Sequence, residues 1–239
     1  MLYFASESPR PGLVWAGMDR LTNIPLFPLN TVLFPGMTLP LRIFEPRYVQ
    51  MLERCLDEKI PFGVVLIRSG REVGEYSEPH EVGTLARIDS VQPSSRGDFR
   101  VTAMGTQRFR IEGLNENQPY LQCDLRIDDV LPADDNDQSV RETAQSVAVL
   151  FEEYFRLSLV LAGQWQDAVK VPEDTIALTD FVAARLVTPM DIKQAMLEES
   201  SVSRRLQMEA DLLSEAIPVL NQTVRQRQLR RWGTSSSMN

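Results

Sequence analysis

One histidine, His80, two cysteines, Cys55 and Cys123, and three lysines, Lys59, Lys170 and Lys193, are the side chains of this 239-residue sequence best suited to bind a metal, attack a carbonyl or take up a proton near neutral pH. Zinc chemistry needs clustered ligands, and a single imidazole with two distant cysteines that form no CxxC does not supply them. His80 sits in "SEPHEVG", a stretch that reads as an exposed loop. No GxSxG context places a nucleophilic serine beside it, and none of the three lysines has a recognisable serine partner. A phosphate-cradling loop ends in Gly-Lys-Ser or Gly-Lys-Thr, and the chain contains no Gly-Lys pair. Paired carboxylates abound, as in any acidic protein, and carry little information. We therefore expect no catalytic residue, no metal and no cofactor.

Charge narrows the partners. The sequence has 33 acidic and 25 basic side chains and a net charge of -8, which repels a phosphate backbone unless the cations gather on one face. Nucleic acid is therefore a disfavoured partner. No apolar run approaches the roughly 20 residues that cross a bilayer, and the opening segment lacks a basic end followed by a continuous apolar stretch. Scarce, isolated cysteines fit a reducing, cytoplasmic setting. Residues 1–22 read as a flexible leader, with Met18 a second candidate start beside Met1, and "GTSSSMN" gives a disordered tail over 232–239.

The elements that would position any site change period near residue 135. Up to about Leu131 the apolar residues alternate, with Pro and Gly marking turns. In "YLQCDLRID", Leu121, Cys123, Leu125 and Ile127 face one way and Gln122, Asp124, Arg126 and Asp128 the other. "FRVTA" and "QRFRIEG" form two strands with a hairpin at Gly105, "RGD" at 96–98 makes another turn, and "FGVVLIR" is apolar enough to be covered on both faces. Beyond the acidic link "PADDNDQS", Val140, Ala144, Val147, Phe151, Tyr154 and Leu161 recur at helical spacing, with Ser158 in one slot. A second helix starts at Pro172 and stops before Pro189. A third carries Leu206, Leu213 and Leu220 seven apart, with Ala210, Ile217 and Val224 between them, and should kink or break at Pro218. Arg225, Arg227, Arg230 and Arg231 complement its C-terminal dipole.

Between the clearest early strand and the first helix lies "IFEPRY". Pro46 has the backbone angle of a first helical residue and needs no amide there, so a strand ending at Phe44 turns straight into "PRYVQMLERCLDE". Glu45 takes the boundary, Arg47 is placed to pair with it or with a loop carbonyl, and Tyr48, Met51, Leu52, Cys55 and Leu56 line the inward face.

With "IPLFPLNTVLFPGMTLPLRIFEPRYVQML", "FGVVLI", "VGTLARI" and "VTAMGTQRFRI" in order, then "LTDFVAARL", "DIKQAMLE" and "RRLQMEADLL", the chain resembles the N-terminal substrate-binding domain of the ATP-dependent Lon protease. The resemblance covers about residues 23–220. Its structural signature here is Phe44, Glu45, Pro46, Arg47, Tyr48, Gly83, Gly105 and Phe109. It implies an α+β fold: a PUA-like antiparallel β pseudo-barrel over 23–132 with one inserted helix, then an α-helical bundle over 138–231. It also implies a stand-alone, non-enzymatic polypeptide-binding module, an adaptor or recogniser of damaged chains, without the family's ATPase and protease activities. The apolar "LFPLNTVLFPGMTL" segment offers Phe34, Pro35 and Met37 as the binding surface. Two alternatives stand beside it: an RNA-binding PUA-like module using Arg100, Arg108 and Arg110, and a small-ligand sensor in the cleft between the two parts.

Overall fold

The computed structural model describes residues 19–71, 77–94, 97–128, 138–164 and 169–235, with side chains as far as Leu229. Most of the leader, residue Arg96, most of the acidic link and residues 236–239 lie outside the described residues. Among those described, six strands and five helices run in the order β1 (Arg20–Leu29), β2 (Thr38–Ile43), α1 (Pro46–Glu58), β3 (Phe62–Gly70), β4 (Ser77–Pro93), β5 (Phe99–Asn115), β6 (Gln122–Ile127), α2 (Gln138–Ala162), α3 (Thr175–Arg185), α4 (Met190–Glu198) and α5 (Val202–Ser235). The first strand therefore begins inside the expected leader, and the last helix extends beyond Arg231.

The sheet order is β2-β5-β4-β3-β1-β6, and a further β5–β6 pairing makes β1, β3, β4, β5 and β6 close on themselves. β2 hangs on the first half of β5, Thr38 opposite Met104 through Ile43 opposite Phe99. The expected antiparallel pattern has one exception. β1 and β3 are parallel because β2 and α1 intervene as a crossover between them.

Gly105 is not at a hairpin. β5 runs through it without a turn, and the glycine is needed because the "FPGM" loop docks there: a Cβ on Gly105 would run into the Phe34 carbonyl. Phe34 O accepts from Met37 N at 3.1 Å and Gly36 has φ +73°, with Pro35 before it, the signature of a type II turn. Gly36 N then donates to Gly105 O and Gly105 N to Met37 O, both at 2.9 Å, which makes a G1 bulge. Thr84 Oγ1 ties the same loop down through Leu33 O at 2.6 Å.

Among the described residues three apolar clusters hold the fold. One fills the closed sheet around Phe109, which packs across Gly63 and Gly83; a Cβ on Gly63 would lie 2.8 Å from the ring and one on Gly83 2.9 Å. A second lies between the sheet and α1. The third joins the helices to the sheet, with Val32, Phe34, Leu66 and Val82 in the same cluster as Val147, Phe151, Leu206 and Leu213.

Several helical details differ from expectation. α3 starts at Thr175, capped by the Asp174 carboxylate accepting from Ala177 N at 2.7 Å, because that cap satisfies an end amide that Pro172 cannot. Leu157 belongs to the buried face of α2, while Leu56 on α1 is exposed. α5 passes through Pro218 unbroken; the proline is on the exposed side, and Leu213 and Ile217 on either side of one turn are buried. That packing outweighs the lost hydrogen bond.

Where α3, α5 and the sheet meet, charges are buried. Arg205, fully buried, donates through Nη2 to Asp180 Oδ1 at 2.5 Å, and Glu209 lies one turn further along α5, also fully buried. Burial pushes the Glu209 carboxyl well above the usual carboxylate range, against the opposing pull of Arg205. Asp180 is raised for the same reason, despite Arg205 and Arg108. A raised folded-state pKa means the native protein holds protons that the unfolded chain releases, so this contribution is full below the ordinary carboxylate pKa and fades as pH rises through the raised value. The urea midpoint should therefore fall as pH rises above the ordinary carboxylate range, and Glu209→Gln, which copies the protonated shape, should flatten that fall while Asp180 retains its share.

Candidate functional site

Of the candidate nucleophiles and bases, both thiols are buried and His80 and Lys193 are engaged, while Lys59 and Lys170 are exposed. Cys55 and Cys123 are buried and burial pushes both thiols up to about 12, so neither is a thiolate at neutral pH. His80 is in β4 and not in an exposed loop; its Nδ1 lies 3.3 Å from Glu198 Oε1 on α4, at the junction of sheet and helices. Lys193 Nζ donates to Ala184 O at 3.1 Å, with its pKa lowered by burial. Lys59 terminates α1 with φ 54°.

The arginines expected to form a basic face are divided. Arg100 is exposed, but Arg108 is buried and donates to Asp128 O at 2.7 Å, Leu197 O at 2.8 Å and Glu199 O at 2.9 Å, locking α4 to the sheet. Arg110 faces Glu81 at 3.5 Å and Asp128 at 3.6 Å, and Arg126 faces Glu112 at 3.7 Å. These carboxylates break up a positive groove. Gln122, expected outward, is buried and donates to Asn23 O at 3.1 Å.

Of the proposed contact residues, Phe34 is fully buried and belongs to the cluster between sheet and helices, so it presents no surface. The docked turn that buries it leaves Pro35 and Met37 half-buried. The exposed aromatic is instead Phe44, at 55%, the sole one among the described side chains. It stands at the joint itself. Glu45 has extended backbone (φ -73°, ψ 132°), its carbonyl accepts from Tyr48 N at 2.9 Å and Val49 N at 3.0 Å, and Pro46 opens α1. Glu45 does not cap an amide; its carboxylate takes the Arg47 guanidinium at 3.0 Å, and that guanidinium also lies 4.5 Å above the Tyr48 ring. Tyr48 in turn packs on Phe27, with ring centroids 4.2 Å apart. The joint is rigid on its inner side and apolar on its outer side.

Beside Phe44 an open concavity is lined by Arg42, Gly97 and Asp98. Gly97, with φ +81°, makes the turn expected at this motif, where Gly97 N donates to Ser94 O and Ser94 N to Asp98 O. Arg42 Nε donates to the Asp98 carboxylate, and hydrogen bonds from Ser94 and Arg42 hold that carboxyl below its usual value. The shelf thus combines an apolar ring, a neutralised charge pair and the free side of an edge strand. Alternation alone would have flagged Phe44, which follows Leu39, Leu41 and Ile43 out of phase.

Residues 23–215 match the model of the ATP-dependent protease La (LON) substrate-binding domain, and the chain belongs to that family. Curated relatives include Lon protease 2 of Herpetosiphon aurantiacus, 29% identical over 83% of this chain and 24% of its own length, and the Lon protease of Escherichia coli (strain K12), 27% identical over 83% of this chain and 25% of its own. The chain therefore spans about a quarter of the length of the curated relatives it matches. Among solved structures, the Lon N-terminal domain protein from Xanthomonas campestris is 25% identical with TM-score 0.56, covering 78% of this chain and 96% of that one. The N-terminal domain of Mycobacterium avium complex Lon protease has TM-score 0.61 at 18% identity, covering 80% and 98%, and supports the fold.

Proposed function

We propose that this chain is a non-enzymatic polypeptide-binding module, an adaptor or recogniser of unfolded chains in the cytoplasm, organised as the sheet part (23–132) and the helical part (138–231). What carries the reading is the exposed Phe44 ring on a chain of a substrate-binding family. An aromatic side chain held on a rigid joint can bury against a partner without a large ordering cost. The half-buried Pro35 and Met37 extend the apolar character of the same strand's entry. The engaged state of His80, Lys193 and both thiols supports binding without turnover.

Fluorescein-labelled, reduced and carboxymethylated casein, which is unfolded, should bind the purified protein with an anisotropy change. Phe44→Ser should weaken that binding about tenfold, as expected of an aromatic anchor. Its melting temperature should hold, because an exposed side chain contributes little to stability. Undiminished binding by a folded Phe44→Ser protein would remove Phe44 from the surface, and failure of casein to bind at all would remove the function.

A further inference from the structure

The outer edge of β2 has a main-chain pattern that selects how a polypeptide would be held. Gly105 N donates to Met37 O, so Met37 and Gly105 are a hydrogen-bonded pair. Such pairs alternate along an antiparallel ladder, so Leu39, Leu41 and Ile43 turn their backbone groups toward Ala103, Val101 and Phe99. The groups of Thr38, Pro40 and Arg42 consequently point away from β5. Among the described residues no strand pairs with that side, since β2 ends the sheet order. The edge therefore presents amide donors at Thr38 and Arg42 and carbonyl acceptors at Thr38, Pro40 and Arg42.

Pro40 has a definite effect on this row. Its missing N–H faces outward, which is why it leaves the β2–β5 ladder intact, and it interrupts the donors in the middle. A long sheet edge cannot zip onto such a strand as it would onto an unbroken one, so the edge resists uncontrolled stacking. A short extended segment still finds donors on both sides of the gap and the exposed Phe44 ring at the strand's end.

We propose that β2 receives an extended segment of an unfolded polypeptide as an added strand, held through its main chain at Thr38 and Arg42 with an apolar side chain against Phe44. This rests on the polypeptide-binding reading above. Recognition of this kind reads backbone availability more than sequence, because folded proteins have already paired most of their own amides.

The test uses a labelled twelve-residue peptide of alternating valine and threonine, flanked by solubilising lysines, and a twin N-methylated at three consecutive central residues. The twin keeps every side chain and loses the donors on both of its edges. We expect the plain peptide to bind and the twin to bind at least tenfold more weakly. In hydrogen exchange followed by NMR, the Thr38 and Arg42 amides should slow at least tenfold when the plain peptide saturates the protein. Equal binding of the two peptides, or binding that leaves both amides exchanging at the free rate, would overturn strand addition while the polypeptide-binding function stands. No binding of either peptide or of casein would overturn both. A dimer of the free protein with protected Thr38 and Arg42 amides, undisplaced by peptide, would assign the edge to a second copy and overturn the proposal.

Discussion

Arg205→Met should destabilise the protein by about 3–5 kcal/mol, the usual cost of stripping the partner from a buried charge. Arg205 is fully buried on α5 and its guanidinium meets the Asp180 carboxylate of α3 at 2.5 Å. Methionine fills much of the space but leaves Asp180, itself 7% exposed, without its ion-pair partner. Asp180 must then take up a proton or open the α3–α5 contact to water. With a slope typical of domains this size, the urea midpoint should drop by roughly 1–2 M. Replacing the whole set, Arg205→Met with Asp180→Leu and Glu209→Met, should recover most of the loss, since an apolar trio of similar size avoids the desolvation of all three groups. A single-variant cost below about 1 kcal/mol would mean that the pair behaves like one at the surface. The function proposed for the β2 edge does not use this cluster, so casein binding by the folded triple variant should equal that of the parent.

The buried charges also show where sequence reasoning reached its limit. Alternation correctly oriented Val101, Ala103 and Phe109, because in a closed sheet one face of each strand must be apolar. It sent Arg108 outward to solvent, whereas the register of β5 against β4 shifts between Thr84 and Ala86 and the outer face there is covered by α4. Neither a bulge nor the docking of a helix from ninety residues away leaves a periodic trace. At the strand-to-helix joint the helix start at Pro46 and the Arg47–Glu45 pair were legible, since both act locally, while β2 ends at Ile43, one residue short of the Phe44 expected. Phe34 was misplaced for a related reason: "FPGM" is a surface turn by its own chemistry, and only the absence of a side chain on Gly105, seventy residues on, lets it sink into the interface. Pro218 removes one helical hydrogen bond, but α5, with Leu213 and Ile217 buried, does not break there. The candidate surface moved from the buried Phe34 to Phe44 by the same logic, because exposure is decided by contacts that are distant in sequence.

Phe109→Ala should cost about 3–5 kcal/mol, the range for deleting a buried aromatic ring from a packed core. The ring is fully buried and sits against two glycines that have no room for a methyl group, Gly63 on β3 and Gly83 on β4. This fit makes a second, sharper expectation available. Gly63→Ala alone should destabilise, because its Cβ would lie 2.8 Å from Phe109 Cζ and 2.9 Å from Leu26 Cδ1, both of which must shift. In the Phe109→Ala background the first of those contacts is gone and the new methyl partly fills the vacated space. The double variant should therefore be more stable than the sum of the two single changes requires, by roughly 1 kcal/mol in a double-mutant cycle. Gly83→Ala should not be rescued to the same degree, since its Cβ would still press on the Val64 carbonyl, which the loss of a ring does not move. Denaturant midpoints of the five variants measure all of this; additivity at Gly63 would mean that the ring and the glycine do not share their space, and equal rescue at Gly83 would mean that the β3 backbone gives way there.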